Sequence, residues 1–368
     1  MSDPLETDRC WAEIDRNALK HNVARVRERI GQAELLAIVK ANAYGHGMTG
    51  VAETLASDAQ LFGVANLEEA IKLRDSLKHP ILILGPALPQ ERVAICERKF
   101  IPCVSTLEEA NDFSRLARDS GLPINLKVDT GMGRMGTPEA GALEVFQKIA
   151  SLPNITIHSV STHMPVSNED AGYTRDQLLR FRRLIEGFRA KVPGNYKAHV
   201  LQSAGLLAFA DPTFDIVRAG IVLYGISPLP EFQKILKPAL TWKTRVGLIR
   251  DMPAGSSISY GRSFIAPRPM RVATLPAGYA DGYPRHLSNR DAAVLIRGQR
   301  CALLGRVTMD LMVVDISHLE SVAVGEEVVL LGRQGDEEIP TSELAERAGT
   351  ITWEIVTRIG SRVRRVYV

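Results

Sequence analysis

The chain has 368 residues, with 45 Lys or Arg against 42 Asp or Glu and a net charge of only +3. That balance excludes a polybasic nucleic-acid binder or an acidic tail as the main theme, because neither has a surplus of charge to work with. With 45% hydrophobic and 24% charged residues the chain can bury a sizeable core, and its length suits one large domain with a smaller one. No run of about 18 apolar residues occurs, so no membrane span is expected. Met1 to Cys10 is polar and acidic, unlike a secretory signal or an Arg-rich transit peptide. Cys10, Cys96, Cys103 and Cys301 lack metal-site spacing and read as inert thiols of a reducing compartment. A cytoplasmic protein without a metal is expected.

Short β-branched runs alternate with amphipathic stretches over the first two thirds of the chain. The runs are 35–39, 61–65, 81–84, 101–105, 124–128, 155–161, 196–201 and 215–217. Seven intervening gaps carry charged, helix-periodic sequence, among them 67–77, 107–119 and 175–189. Eight strands, the first seven each followed by a helix, predict an α/β fold of the (β/α)8 TIM-barrel type. A doubly wound sheet shows the same alternation with fewer strands. After Pro228 the pattern changes to short strands and turns, at 241–249, 270–276, 292–296, 299–304, 312–315 and 327–331. One helix is expected near 341–348. The predicted organisation is an N-terminal strand at 1–11 packing on the C-terminal domain, a barrel at 12–235 and a mainly-β domain at 236–368.

Barrel enzymes carry their chemistry at the C-terminal ends of the strands. Lys40 follows the first run, and Lys127 and Asp129 close the fifth, ahead of the loop Thr130-Gly131-Met132-Gly133-Arg134-Met135-Gly136. His163 closes the sixth run, His199 lies within the seventh with Ser203 just beyond, and Arg218 closes the eighth. Taken singly, each has an ordinary reading: a solvated strand end, a core histidine, a tight glycine turn. The loop lacks the GK[ST] of a P-loop. Their shared position at one rim argues for a site. Barrels often bind phosphate after strands seven and eight through backbone N–H groups, which puts Ser203 and Gly220-Ile221 in view. A phosphate near a strand-end lysine suggests pyridoxal phosphate, whose aldehyde forms a Schiff base with lysine.

The segment Ala37-Ile38-Val39-Lys40-Ala41-Asn42-Ala43-Tyr44-Gly45-His46-Gly47 resembles the pyridoxal-phosphate attachment motif of alanine racemases. The resemblance spans nearly the whole chain, through Trp11-Ala12-Glu13-Ile14-Asp15, Asp129-Thr130-Gly131-Met132-Gly133-Arg134 and Arg218-Ala219-Gly220-Ile221. It continues in Ser259-Tyr260-Gly261, Gly278-Tyr279-Ala280-Asp281-Gly282 and Gly305-Arg306-Val307-Thr308-Met309-Asp310. Related decarboxylases share this architecture but use a cysteine donor, and no comparable motif surrounds Cys301.

The resemblance implies that Lys40 holds pyridoxal 5'-phosphate and is one of two racemisation bases, the other being Tyr260 from a partner subunit of a head-to-tail homodimer with shared active sites. It implies that Tyr44, Ser203, Gly220 and Ile221 hold the phosphate and that His163 packs on the pyridine ring. His199 is expected beside the tyrosine and in contact with Arg218, which faces the pyridine nitrogen. Arg134 is expected at the phenolic oxygen and the substrate carboxylate, aided by the N–H of Met309. Lys127 matches a lysine that is carbamylated in many members and orients the arginine, and Tyr279 and Asp310 match residues of the narrow substrate mouth. Trp353 stands where the family usually has a tyrosine that donates to the phosphate, which puts that contact in doubt. The implied activity is interconversion of L- and D-alanine, supplying D-alanine for peptidoglycan. Alternatives are a serine or broad-specificity racemase and, from another class, a non-catalytic pyridoxal-phosphate-binding protein. Neither nucleic acid nor membrane is an expected partner.

Overall fold

The computed structural model describes residues 7–118, 121–209 and 214–368. The chain divides into two compact units: one is Leu19–Ala43 with Met48–Lys237, and the other joins the segment up to Ala18, Tyr44–Gly47 and Pro238–Val368. These divisions differ from boundaries at 11 and 235, and they assign the four residues after Ala43 to the β-rich unit.

In the first unit nine strands form one sheet. The two-residue strand Thr137–Pro138 pairs with the end of Leu122–Asp129, and the other eight run Ile216–Ala219, Glu34–Ile38, Leu61–Val64, Ile81–Ile83, Ile101–Val104, Leu122–Asp129, Ile155–Ser161 and Lys197–His199. Every neighbouring pair is parallel. The last gap is bridged by Asp215 N donating to Ala198 O and Arg218 N to Leu201 O, both at 3.0 Å, so the barrel is nearly closed. Buried apolar runs dictate these strands, because a sheet covered by helices has no solvent face that would impose alternation. The covering helices start at recognisable caps. Thr106 and Glu109 form a capping box at Leu107–Leu116, Asn66 caps Leu67–Arg74, and Asp170 caps Ala171–Lys191. Asp119, where the second of these stretches was expected to end, lies outside the described residues. Behind the sheet Phe146 and Phe188 stack at 4.3 Å between ring centres.

The second unit is built on a mainly antiparallel sheet. Its order is Leu248–Met252, Met270–Leu275, Met312–Asp315, Gln299–Leu304, Ala293–Ile296, Glu327–Gln334, Leu240–Arg245, Cys10–Ile14 and Arg364–Tyr367. Cys10–Ile14 runs antiparallel to Leu240–Arg245 and parallel to Arg364–Tyr367. The single strand expected at 241–249 is two. At the break Val246 N bonds Glu326 O at 2.8 Å and Gly247 N bonds Thr274 O at 2.9 Å, so the chain exchanges one partner strand for another. Among the described residues no helix is long and apolar enough to cross a membrane. All four cysteines are buried free thiols.

Candidate active site

Arg218 is the centre of the barrel mouth. It is 5% exposed and lies in Ile216–Ala219. Its Nη1 donates to His199 Nδ1 at 2.7 Å and His199 O at 3.1 Å. Its Nη2 meets Val200 O at 2.7 Å, Thr162 O at 2.8 Å and His163 Nδ1 at 3.3 Å. Nε–H is therefore the donor left without a partner among the described residues. Burial pushes the guanidinium down to about 10, which leaves it charged at neutral pH.

A donor-only neighbour fixes His199. Arginine has no acceptor, so His199 Nδ1, 2.7 Å from Nη1, must offer a lone pair and the His199 proton sits on Nε2. His199 then donates from Nε2 to Asn125 Oδ1 at 2.9 Å. Asn125 is saturated, for it also accepts from Ser159 Oγ at 2.9 Å and donates to Ser161 Oγ at 2.9 Å and Cys103 Sγ at 3.2 Å. Both nitrogens of His199 are thus used inside the barrel, and none remains for a tyrosine. His163 Nε2 has no partner among the described residues. Burial first, and then Arg218, lower both imidazoles, His163 to about 2 and His199 well below the usual histidine range, so both are neutral.

Lys40 opens an unusual piece of backbone. Ala41, Asn42 and Ala43 have φ/ψ of 51/50, 53/45 and 54/51, and Tyr44 has φ 51: a left-handed helical turn containing no glycine. Each such residue costs about 1–2 kcal/mol, so the turn must be held by others. Ala41 N donates to Glu69 Oε1 at 2.7 Å, and Met48 N donates to Asn42 Oδ1 at 2.9 Å. In the β-rich unit Arg365 Nε donates to Gly45 O at 2.8 Å. Gly45 has φ +83, and a Cβ there would stand 2.0 Å from Val356 O, so no other residue fits. The half-buried Lys40 amine is lowered by desolvation, then by Arg134 and Arg218, with Glu69 opposing.

Lys127 is lowered further, to about 7, by desolvation and then Arg218, with Arg134 adding while Cys103 and Asp129 oppose. The exposed Arg134 is carried by a loop folded around Asp129, whose carboxylate accepts from the N–H groups of Gly131, Met132 and Gly133 at 2.9–3.2 Å. Gly136 closes that loop at φ +119, where a Cβ would lie 2.8 Å from Asp129 N. Ser203 Oγ accepts from Gly220 N at 3.1 Å, which leaves the hydroxyl proton free to donate. Ile221 N–H has no acceptor among the described residues.

In the β-rich unit Tyr260 is 72% exposed, on a turn where Ser259, Gly261 and Arg262 all have positive φ. Met309 is 53% exposed; its carbonyl accepts from Ala280 N at 2.9 Å while its own N–H is unused among the described residues. Tyr279 is exposed, and Asp310 pairs with Arg362 Nη1 at 2.8 Å. Trp353 is half-buried on the helix Thr352–Thr357.

The barrel-mouth groups suit pyridoxal phosphate. An aldehyde needs an amine of lowered proton affinity, as at Lys40, and a phosphate needs donors, as Ser203 Oγ–H and Ile221 N–H provide. A pyridine nitrogen needs a donor, which the leftover Nε–H of Arg218 is. Glu69 and Asn125 were not expected from the sequence. Glu69 was readable only as the acidic third position of a capped helix, and Asn125 only as a polar residue within an apolar strand.

Comparison with known proteins gives the same answer. The profile described as "Alanine racemase, N-terminal domain" matches residues 14–228, and that described as "Alanine racemase, C-terminal domain" matches residues 239–367. An alanine racemase of Methylacidiphilum infernorum is 41% identical over 367 residues, covering 98% of this chain and 92% of the relative. The crystal structure of the Bacillus anthracis alanine racemase with bound L-Ala-P superposes with a TM-score of 0.90 at 34% identity, covering 98% of this chain and 95% of that one. The Bartonella henselae alanine racemase with covalently bound pyridoxal phosphate superposes with a TM-score of 0.89 at 28% identity, covering 98% and 100%. With both profiles matched and a relative of this identity covered almost end to end, the chain belongs to the alanine racemase family.

Proposed function

We propose that the chain is an alanine racemase, interconverting L- and D-alanine with pyridoxal phosphate held at Lys40. The observation that carries the reading is Arg218: a buried, charged, donor-only side chain whose one spare N–H would suit an unprotonated ring nitrogen.

Bound pyridoxal phosphate supplies a π system that takes up the electron pair left when the Cα proton departs. Inverting Cα needs a proton removed on one face and returned on the other, hence two bases. Lys40 serves one face, and its lowered proton affinity supports the role. Tyr260 of the partner subunit serves the other, in a head-to-tail homodimer; the exposure of Tyr260 and Met309 supports completion of the site by a second copy. His163, whose Nε2 has no partner among the described residues, would face the phenolic oxygen, the part expected of His199, while its ring would pack on the cofactor. Arg218 would donate its Nε–H to the pyridine nitrogen and, having no acceptor, would leave no proton there. Tyr44, Ser203, Gly220 and Ile221 hold the phosphate. Arg134 and the Met309 N–H bind the substrate carboxylate, with Lys127 as a carbamate orienting Arg134, and Tyr279 and Asp310 narrow the mouth. The protein works in the cytoplasm, supplying D-alanine for peptidoglycan.

The test is Lys40→Ala with borohydride reduction and a D-amino-acid oxidase readout across several L-amino acids. Wild-type protein is expected to carry the reduced cofactor on Lys40 and to turn over alanine fastest; the variant is expected to lose both properties. A variant that keeps both overturns the assignment, and equal turnover of serine and alanine makes the enzyme a broad-specificity racemase.

A further inference from the structure

Two helices of the barrel begin alike. Leu67–Arg74 and Leu107–Leu116 follow the N-caps Asn66 and Thr106, and each has a glutamate, Glu69 or Glu109, three residues after its cap. Glu109 keeps its carboxylate at home, where Oε2 accepts from Ser105 N at 2.6 Å and Thr106 N at 3.3 Å. Glu69 does not. Its Oε2 accepts from Ala65 N at 2.7 Å, but its Oε1 reaches the neighbouring strand-end segment and accepts from Ala41 N, also at 2.7 Å. Ala41 is the first left-handed residue after Lys40, and its N–H belongs to the peptide that Lys40 itself forms.

We propose that Glu69 is a positioning residue for Lys40: its carboxylate clamps the first peptide of the left-handed turn, so that the lysine leaves the strand end in one fixed direction. This rests on the reading of Lys40 as the cofactor lysine. The geometry is two-sided, because one carboxylate ties the peptide after Lys40 to the end of the adjacent strand. Electrostatics agrees with it. Among the charged groups acting on the Lys40 amine, Arg134 and Arg218 lower its proton affinity and Glu69 alone raises it. Glu69 holds the same place after its N-cap as Glu109, and Glu109 shows what the capping role looks like without the reach.

The experiment compares Glu69→Gln, Glu69→Asp and Glu109→Gln in the holoenzyme. Glutamine lacks the charge and offers one acceptor oxygen where two N–H groups need one each. Glu69→Gln is expected to speed hydrogen exchange of the Ala41 amide at least about tenfold and to lower the pH midpoint of the cofactor absorption change by about one unit. It should reduce kcat about tenfold or more with KM little changed. Glu69→Asp, which keeps the charge on a shorter arm, should retain the midpoint while still exchanging faster. Glu109→Gln should match wild type in all three readouts, whatever its thermal midpoint. The clamp is overturned if Glu69→Gln leaves Ala41 exchange and the midpoint unchanged, or if Glu109→Gln shifts them equally. If Glu69→Gln fails to fold, Glu69→Asp decides alone: unchanged Ala41 exchange in it overturns the clamp. Borohydride reduction of wild type separates the two readings, because cofactor found on a residue other than Lys40 refutes the site assignment itself.

Discussion

Replacing Arg218 by glutamine removes the nearest positive charge from His163 and should let that imidazole titrate. In the native protein His163 stands at about 2, lowered first by burial and then by Arg218, with Lys127, Arg134 and Lys40 adding. Arg218 Nη2 is 3.3 Å from His163 Nδ1. Two unit charges at about that separation repel by about 5 kcal/mol at an effective dielectric of about 20. A guanidinium spreads its charge over three nitrogens, so about half of this acts on the ring, equivalent to about two pKa units. Arg218→Gln should therefore bring His163 up to about 4, with burial holding it below the free-histidine value. Arg218→Lys keeps the charge and should leave His163 low. The assay is 15N NMR of labelled histidine between pH 3 and 8. Both variants lose hydrogen bonds to Thr162 O, Val200 O and His199 O, at about 1–3 kcal/mol for each carbonyl left unpaired, so their thermal midpoints should fall together. The linkage has a definite sign. His163 is a base with a depressed native pKa, so the stability it contributes is present above about pH 6.5 and drains as pH falls, at up to about 1.4 kcal/mol per pH unit. In wild type the drain continues towards pH 2; in Arg218→Gln it stops near pH 4. If His163 stays untitrated above pH 3 in Arg218→Gln, or titrates identically in Arg218→Lys, the charge of Arg218 is not what holds it neutral.

Three further perturbations probe the rest of the site. Tyr260→Phe should slow solvent-deuterium exchange at Cα of L-alanine more than that of D-alanine, by about 100-fold or more; equal loss in both directions argues against one base on each face. Lys127, at about 7, is substantially neutral at pH 8 and able to add carbon dioxide, so a carbamate signal should grow in 13C-bicarbonate NMR above pH 7 and vanish below pH 6. Lys127→Ala should raise KM for alanine about tenfold, whereas a free ammonium persisting at pH 8 rules the carbamate out. Asn125→Asp places a carboxylate against His199 Nε2 and should raise that imidazole's proton affinity; a His199 15N titration unchanged from wild type refutes Asn125 as its partner.

The barrel, and the rim on which Lys40, Lys127, Arg134, His163, His199, Ser203 and Arg218 sit, were legible because strand-forming runs announce themselves by composition and barrel chemistry gathers at strand ends. What each side chain touches was not. His163 and His199 both follow or close strands, and nothing in their spacing tells which ring exhausts its nitrogens on Arg218 and Asn125. Glu69 and Glu109 occupy the same position after a cap, so only coordinates reveal that one of them reaches across to Ala41. The left-handed turn was equally hidden, since Ala-Asn-Ala-Tyr contains no glycine to advertise positive φ. The break at Val246–Gly247 was missed for a related reason: both halves are β-prone, and the change of partner strand is a long-range event.

One line of hydrogen bonds below the mouth runs in a single direction. Arg218 donates to His199, His199 donates to Asn125, and Asn125 donates onward to Cys103 and Ser161. Arginine at one end has no lone pair to accept with, and the amide at the centre is neither an acid nor a base near neutral pH. No proton can therefore travel down this chain, and the charge on Arg218 cannot be discharged into the barrel. Proton traffic is confined to groups outside this chain, above all the Lys40 amine, lowered by burial, Arg134 and Arg218 and held back by Glu69. A site that must take a proton from one face of a carbon and give it back on the other gains from that confinement. Arg218 keeps its charge, and only the bases change state.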